Sequence, residues 1–175
     1  ERGLQQRIAN FLDNQAARID VLIAAKKRLL ELLEEQRLSI CEAVVADKFD
    51  GGRAKLGFLV DLLPGYAFPS DEFSRDPADI ALLRGANVAP GAIRWDDAVY
   101  WAREYAPALE RFRLQVGDVV LGMDRPWISS GARVAIVGSN DSGSFLLQRV
   151  CRLRGGKRLR QRFIYYALAS DMFRQ

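Results

Sequence analysis

Histidine is absent from this chain. That removes the usual general base, the Ser-His-Asp triad, the Cys-His pair and every imidazole metal ligand. Cysteine is nearly absent. Cys41 and Cys151 stand far apart with no C-x-x-C spacing, which excludes a zinc knuckle and a disulfide framework. Two buried, reduced thiols are expected, as in a cytoplasmic protein. Long apolar runs are also missing, so no segment is expected to span a bilayer. No signal peptide is read at the start, where Glu1 and Arg2 lead almost at once into a helical pattern, and the missing initial Met points to a fragment or a removed tag. No Gly-Lys-Ser/Thr closes a glycine-rich loop. The polar run GSNDSGS at 138–144 and the RGGK at 154–157 are therefore not phosphate cradles of the P-loop kind.

Glycine and proline are missing from residues 11–36, FLDNQAARIDVLIAAKKRLLELLEEQ. From Ile8 the steps alternate four and three: Ile8, Leu12, Gln15, Ile19, Leu22, Lys26, Leu29, Leu33, Gln36, Ile40, Ala43. Eight of these eleven positions are apolar. A mean step of 3.5 residues specifies a coiled-coil seam, with Ile8, Leu12, Ile19, Leu22, Leu29, Leu33 and Ile40 as the helix-pairing residues. Polar Gln15, Lys26 and Gln36 on the seam cost stability but fix register. Phe11, Ile23, Leu30 and Leu32 widen the apolar face. At about 1.5 Å per residue, forty residues make a rod of roughly 60 Å. No other segment matches it in length, so its partner helix is expected in another copy or in a missing half. Asp50-Gly51-Gly52 is expected to end the rod and to divide residues 1–50 from 51–175.

Beyond that boundary, short Val-, Ile-, Leu- and Phe-rich segments alternate with turn signals, from LGFLVDLLPGYAF to SFLLQRVCRLR. They read as strands of a mostly antiparallel sheet. Residues 96–105 read as a short helix or irregular turn, and 160–173 has helical spacing. The expected fold class is α+β: a long spacer-type helix, then a β-rich unit with short helices. Asp118 and Asp124 are the acids open to a magnesium-dependent nuclease, but no E-x-K follows on the next strand. Asp118 fits a turn cap better, as the pair Asp96-Asp97 fits a helix cap. No active site emerges and no metal site is expected.

Acidic charge runs out toward the end of the chain. Residues 1–50 hold 8 basic and 9 acidic groups and 51–110 hold 6 and 9, but 111–175 hold 12 and 4. A basic block on a balanced chain points to a polyanion. Seven cations lie between Arg149 and Arg162 with no acid among them. Strand alternation sets Arg152 and Arg154 with Val150, opposite Cys151 and Leu153. Arg154, Lys157, Arg158 and Arg160 are the candidates for DNA phosphates. Base readout needs directional donors and acceptors on loops that reach a groove. LLRGANVAPGAIRW supplies Arg84, Asn87, Arg94 and Trp95; GMDRPWISSGAR supplies Asp124, Arg125, Trp127, Ser129, Ser130 and Arg133. Against these readings stand solvated charge and tryptophans used only as core. The function left as an alternative is a coiled-coil protein-interaction module that binds no nucleic acid.

The rod carries a set of motifs: Gln5, Ile8-Ala9, Phe11-Leu12-Asp13, Ala17, Ile19-Asp20, Leu22-Ile23, Lys26-Lys27, Leu32-Leu33 and Glu35. They resemble the spacer helix of type I restriction–modification specificity subunits, departing at Ala16, where that family usually has Thr. GYAFPSDEF, LLRGANVAPGAI, VGDVVLGMDR, LLQRV and FIYYALASDMF look like its target recognition domain. The resemblance implies that 51–175 reads half of a bipartite site in double-stranded DNA. It further implies that the helix sets the gap and docks methyltransferase subunits, and that a restriction subunit completes the complex. S-adenosylmethionine, ATP and magnesium would sit on those partners, and this chain would have no catalytic centre or cofactor of its own. A full subunit of that family carries two recognition domains and two spacers. One spacer and an unfinished domain are expected here, from a fragment or from a half-subunit that dimerises.

Overall fold

The computed structural model describes residues 2–48, 55–129, 131–156 and 159–170, in two compact units, Glu1–Val44 and Val45–Gln175. Helix α1, Arg2–Lys48, is continuous over 47 residues and forms the first unit up to Val44. Nothing in its interior breaks a helix. Local pairs tie its surface, Gln6 to Asn10 and Arg28 to Glu31. All seven seam residues, from Ile8 to Ile40, remain 49–61% exposed. Phe11, Ile23, Leu30 and Leu32 are exposed as well. Asp50, Gly51 and Gly52, the expected stop, lie outside the described residues.

The second unit is β-rich. Its strands are β1 (Val60–Pro64), β2 (Ile80–Leu83), β3 (Val88–Ala89), β4 (Ala92–Ile93), β5 (Tyr100–Trp101), β6 (Val119–Gly122), β7 (Trp127–Ile128), β8 (Gly131–Ala132), β9 (Val134–Ile136), β10 (Phe145–Leu146) and β11 (Val150–Gly155). Helix α2 spans Gln161–Ala169. The main sheet runs β1-β11-β6-β9 and is antiparallel throughout. A smaller sheet runs β10-β2-β5, with β10 parallel to β2. Two hairpins, β3/β4 and β7/β8, complete the set among the described residues. The architecture is α+β with mainly antiparallel pairing.

Strand alternation in β11 divides the core. Val150 enters a cluster with Leu63, Leu83, Val120, Ala135 and Leu146. Cys151 and Leu153 face the other way, into a cluster with Val119, Val134 and the α2 residues Ile164, Tyr165 and Leu168. Those three helix residues repeat at the spacing one helical face requires. A third, aromatic cluster joins Phe68, Trp101 and Phe145, with Phe68 and Trp101 edge to face at 5.0 Å.

Two segments differ from their sequence reading. Residues 96–105 form a turn at 96–97, then strand β5, then the start of a 3-10 helix at Arg103–Phe112 that buries Ala106 and Leu109. The run 144–154 is not one strand. It is β10 and β11, in different sheets, joined by a tight turn at Gln148-Arg149 in which the Val150 N–H donates to the Leu147 carbonyl.

Candidate nucleic-acid interface

Three loops of the second unit meet at one groove. The first follows β2. The Asn87 side chain accepts from the Arg84 N–H (3.1 Å) and donates to the Arg94 carbonyl (2.8 Å), pinning the loop at both ends. Asn87 is 3% exposed, so its amide is committed to the fold and has no edge to offer a base. Arg84 donates to the Asp97 carboxylate at 2.7 Å and also to the Asp97 carbonyl. Trp95 packs on the core, and its indole N–H donates to Asp141 at 2.8 Å. The same Asp141 accepts from the Gly138 N–H, which makes GSNDSGS a structural turn. Arg94 is exposed at the loop's end.

The second loop lies between β6 and β9. Arg133 joins it to the first, donating from Nε to the Val88 carbonyl (3.0 Å) and from a terminal nitrogen to the Asp124 carbonyl (2.7 Å). Trp127 packs against the α2 cluster. Ser129 and Arg125 are exposed, and Ser130 lies outside the described residues. Arg125 holds a left-handed backbone, φ 48°.

The third loop is the β10–β11 turn. Its carbonyls and amides are fixed by neighbours: Gln148 N–H donates to Tyr66 and Met123 N–H to Arg149. Arg149 is also left-handed, φ 66°, and its guanidinium lies 3.1 Å from the Asp124 carboxylate. The sequence reading missed this turn because Gln-Arg carries no Gly, Pro, Asn or Asp to announce it.

The loops enclose a cleft of about 780 Å³ lined by Arg84, Asp124, Arg125, Arg133, Gln148 and Arg149. A second groove of about 420 Å³ shares Ala86, Arg125 and Arg133 with it and adds Arg94, Asp96 and Asp97. The two adjoining grooves together present five arginines against three aspartates. Residues of the two loops singled out in the sequence line the same grooves, together with a third loop that the sequence reading did not include.

The sequence of the chain has known counterparts. Over 100 residues the chain is 36% identical to the EcoAI specificity subunit of Escherichia coli, matching 57% of this chain and 17% of that protein. Over 174 residues it is 26% identical to the MjaVIII specificity subunit of Methanocaldococcus jannaschii, matching 95% of this chain and 40% of that one. Both are type I restriction enzyme subunits. This chain is homologous to type I restriction specificity subunits. It spans well under half the length of either relative. No family model matches it. In fold it resembles the HsdS subunit of Thermoanaerobacter tengcongensis, with TM-score 0.52 and 15% identity over 87% of this chain and 39% of that chain. A chain from a structural study of assembly and conformational transition in the type I R-M system matches equally, with TM-score 0.52 and 14% identity over the same shares.

In this specificity-subunit homologue the basic block is split by the fold. Arg152 is 5% exposed and bound to Asp61 at 2.9 Å. Arg154, read from the sequence as a phosphate contact, is gripped by Asp118 through two bonds of 2.5 and 2.8 Å. Those bonds hold its guanidinium above its ordinary pKa. Asp118, 4% exposed, also accepts from the Gln115 N–H, as the turn reading required. Arg160 and Arg162 stand exposed at the start of α2, while Lys157 and Arg158 lie outside the described residues. Among the described residues no cluster of three metal-ligating side chains occurs, and no helix is long and apolar enough to cross a membrane.

Proposed function

We propose that this chain is part of a DNA-reading specificity subunit of a cytoplasmic type I restriction–modification complex, and that the second unit reads half of a bipartite site. The observation that carries the reading is that Arg84, Arg94, Arg125, Arg133 and Arg149, from three loops, line two adjoining grooves that share Arg125 and Arg133. Such a surface suits the phosphate-lined wall of a duplex groove. Exposed Arg94, Arg125 and Ser129 are the readout candidates best placed to meet bases. Arg160 is the described candidate for a phosphate. The exposed α1 seam would pair with a second spacer helix, from another copy or another part of the protein, and so set the distance between reading units. The same helices would dock methyltransferase subunits, and a restriction subunit would join them. The chain would itself be non-catalytic, with S-adenosylmethionine, ATP and magnesium held by those partners.

The test is fluorescence anisotropy of the full chain with random-sequence duplex across a salt series. Affinity should fall linearly with log salt, with a slope of about −0.9 per phosphate neutralised. Arg160→Glu should weaken binding to all duplexes alike. Absence of duplex binding at low salt would overturn the reading.

A further inference from the structure

Among the described residues, two non-glycine positions have positive φ, and both are arginines lining the same cleft: Arg125 and Arg149. A left-handed backbone is disfavoured for a residue with a long side chain, and turns that need it ordinarily use Gly or Asn. Here neither substitute is used, so the side chains themselves are what the positions require. The Arg149 turn is also rigidly held. Its backbone bonds to Tyr66 and Met123, and Gly65 lies against the Leu147 carbonyl with no room for a Cβ.

The other two arginines of the cleft are occupied. Arg84 is bound to Asp97, and Arg133 to two carbonyls. They form a fixed floor. Arg149, 70% exposed, projects from it with one terminal nitrogen donating to the Asp124 carboxylate at 3.1 Å. A solvent-exposed pair of this kind contributes little to stability. What it does supply is orientation, and it lowers the net charge that would draw the arginine to any phosphate. An oriented guanidinium fork with parallel N–H donors matches the O6 and N7 acceptors of guanine in the major groove.

Building on the DNA-reading function above, we propose that Arg149 and Arg125 are the specificity-determining pair that selects guanine, with Asp124 as the positioning residue for Arg149. The geometry also sets Gln148 beside them, on the same turn.

The experiment selects duplexes from a randomised pool with the full chain, wild type and Arg149→Ala, Arg149→Lys, Arg125→Ala and Asp124→Asn. Anisotropy with the selected duplex, and with 7-deazaguanine in place of its guanines, follows. Wild type is expected to enrich a guanine-containing sequence. Arg149→Ala should lose guanine at one position and weaken selected-duplex binding by about 5- to 150-fold, the discrimination one bidentate pair gives. Its loss on random duplex should be smaller. Arg149→Lys, which keeps the charge and removes the fork, should behave like the alanine variant, and Asp124→Asn should relax the same position. Deaza substitution there should weaken wild type and leave Arg149→Ala unmoved. An unchanged enriched sequence in both alanine variants overturns the inference, as does equal loss on selected and random duplex; either result leaves DNA reading intact. A wild-type chain that binds duplex but enriches nothing overturns the inference, and one that binds no duplex overturns the DNA-reading function with it.

Discussion

Arginine does two kinds of work in this chain, and the partner decides which. Arg152 and Arg154 belong to a strand whose backbone is central to the main sheet, so their guanidinium groups are drawn into the fold and answered by Asp61 and Asp118. Arg149, one residue before that strand begins, escapes into the groove. The Asp118–Arg154 pair is the internal contact with most at stake, because Asp118 is buried and also caps the turn at Gly117. Asp118→Asn keeps the shape and removes the charge, leaving a third-exposed arginine half answered. It should lower unfolding free energy by about 1–3 kcal/mol in denaturant titration followed by tryptophan fluorescence. A change under about 0.5 kcal/mol, the usual scale of neutral surface substitutions, would mean that water already shields the pair. Cys151 illustrates the opposite case, a side chain with no task beyond packing. Burial pushes its thiol up to about 11, so it stays protonated and unreactive at neutral pH. The side chain of Cys41 lies outside the described residues.

At the scale of elements, periodicity was the readable signal and turn chemistry the unreliable one. Helix α1 follows from steps of 3.5 residues and from the lack of glycine and proline after Gly3. Helix α2, expected over 160–173, spans Gln161–Ala169 and buries Ile164, Tyr165 and Leu168, while residues 171–173 lie outside the described residues. The strand texture was legible too, but the break at Gln148-Arg149 was not, because the left-handed residue there is an arginine and propensity has nothing to say about it. The segment 96–105 misled because Asp96-Asp97 resembles a cap while Tyr100 and Trp101 pair with β2 through tertiary contacts. Of the site, two of the three loops are legible from their directional side chains; that Asn87, Trp95 and Arg133 serve the loops internally depends on hydrogen bonds no sequence pattern encodes. The exposed α1 seam carries its own prediction. Ile19→Asp with Leu22→Asp places charge at two adjacent seam positions on the helix face that would be buried by pairing. Truncating such side chains alone costs about 2–5 kcal/mol each. Self-association of the full chain in sedimentation equilibrium should therefore weaken by at least about a hundredfold. An unaltered association constant would move the pairing surface off the seam.

At the scale of the molecule, charge and stability are partitioned along the chain. The basic excess lies in residues 111–175, within the unit that also contains the arginine-lined groove, while the helical unit is close to neutral. The second unit has three core clusters of its own, whereas α1 leaves its apolar seam uncovered. A helix in that condition gains its stability from a partner, and a partner supplied by a second copy makes its melting depend on concentration. The core of the second unit carries no such dependence. All three tryptophans, Trp95, Trp101 and Trp127, lie in the second unit, so their fluorescence reports on it alone. Far-UV circular dichroism at 222 nm is dominated by the 47 residues of α1. Thermal unfolding should accordingly split. The fluorescence midpoint should stay fixed over a hundredfold range of protein concentration, while the dichroism midpoint rises with concentration. Coincident, concentration-independent midpoints would mean that the two units unfold as one cooperative body and that the seam is satisfied without a second copy.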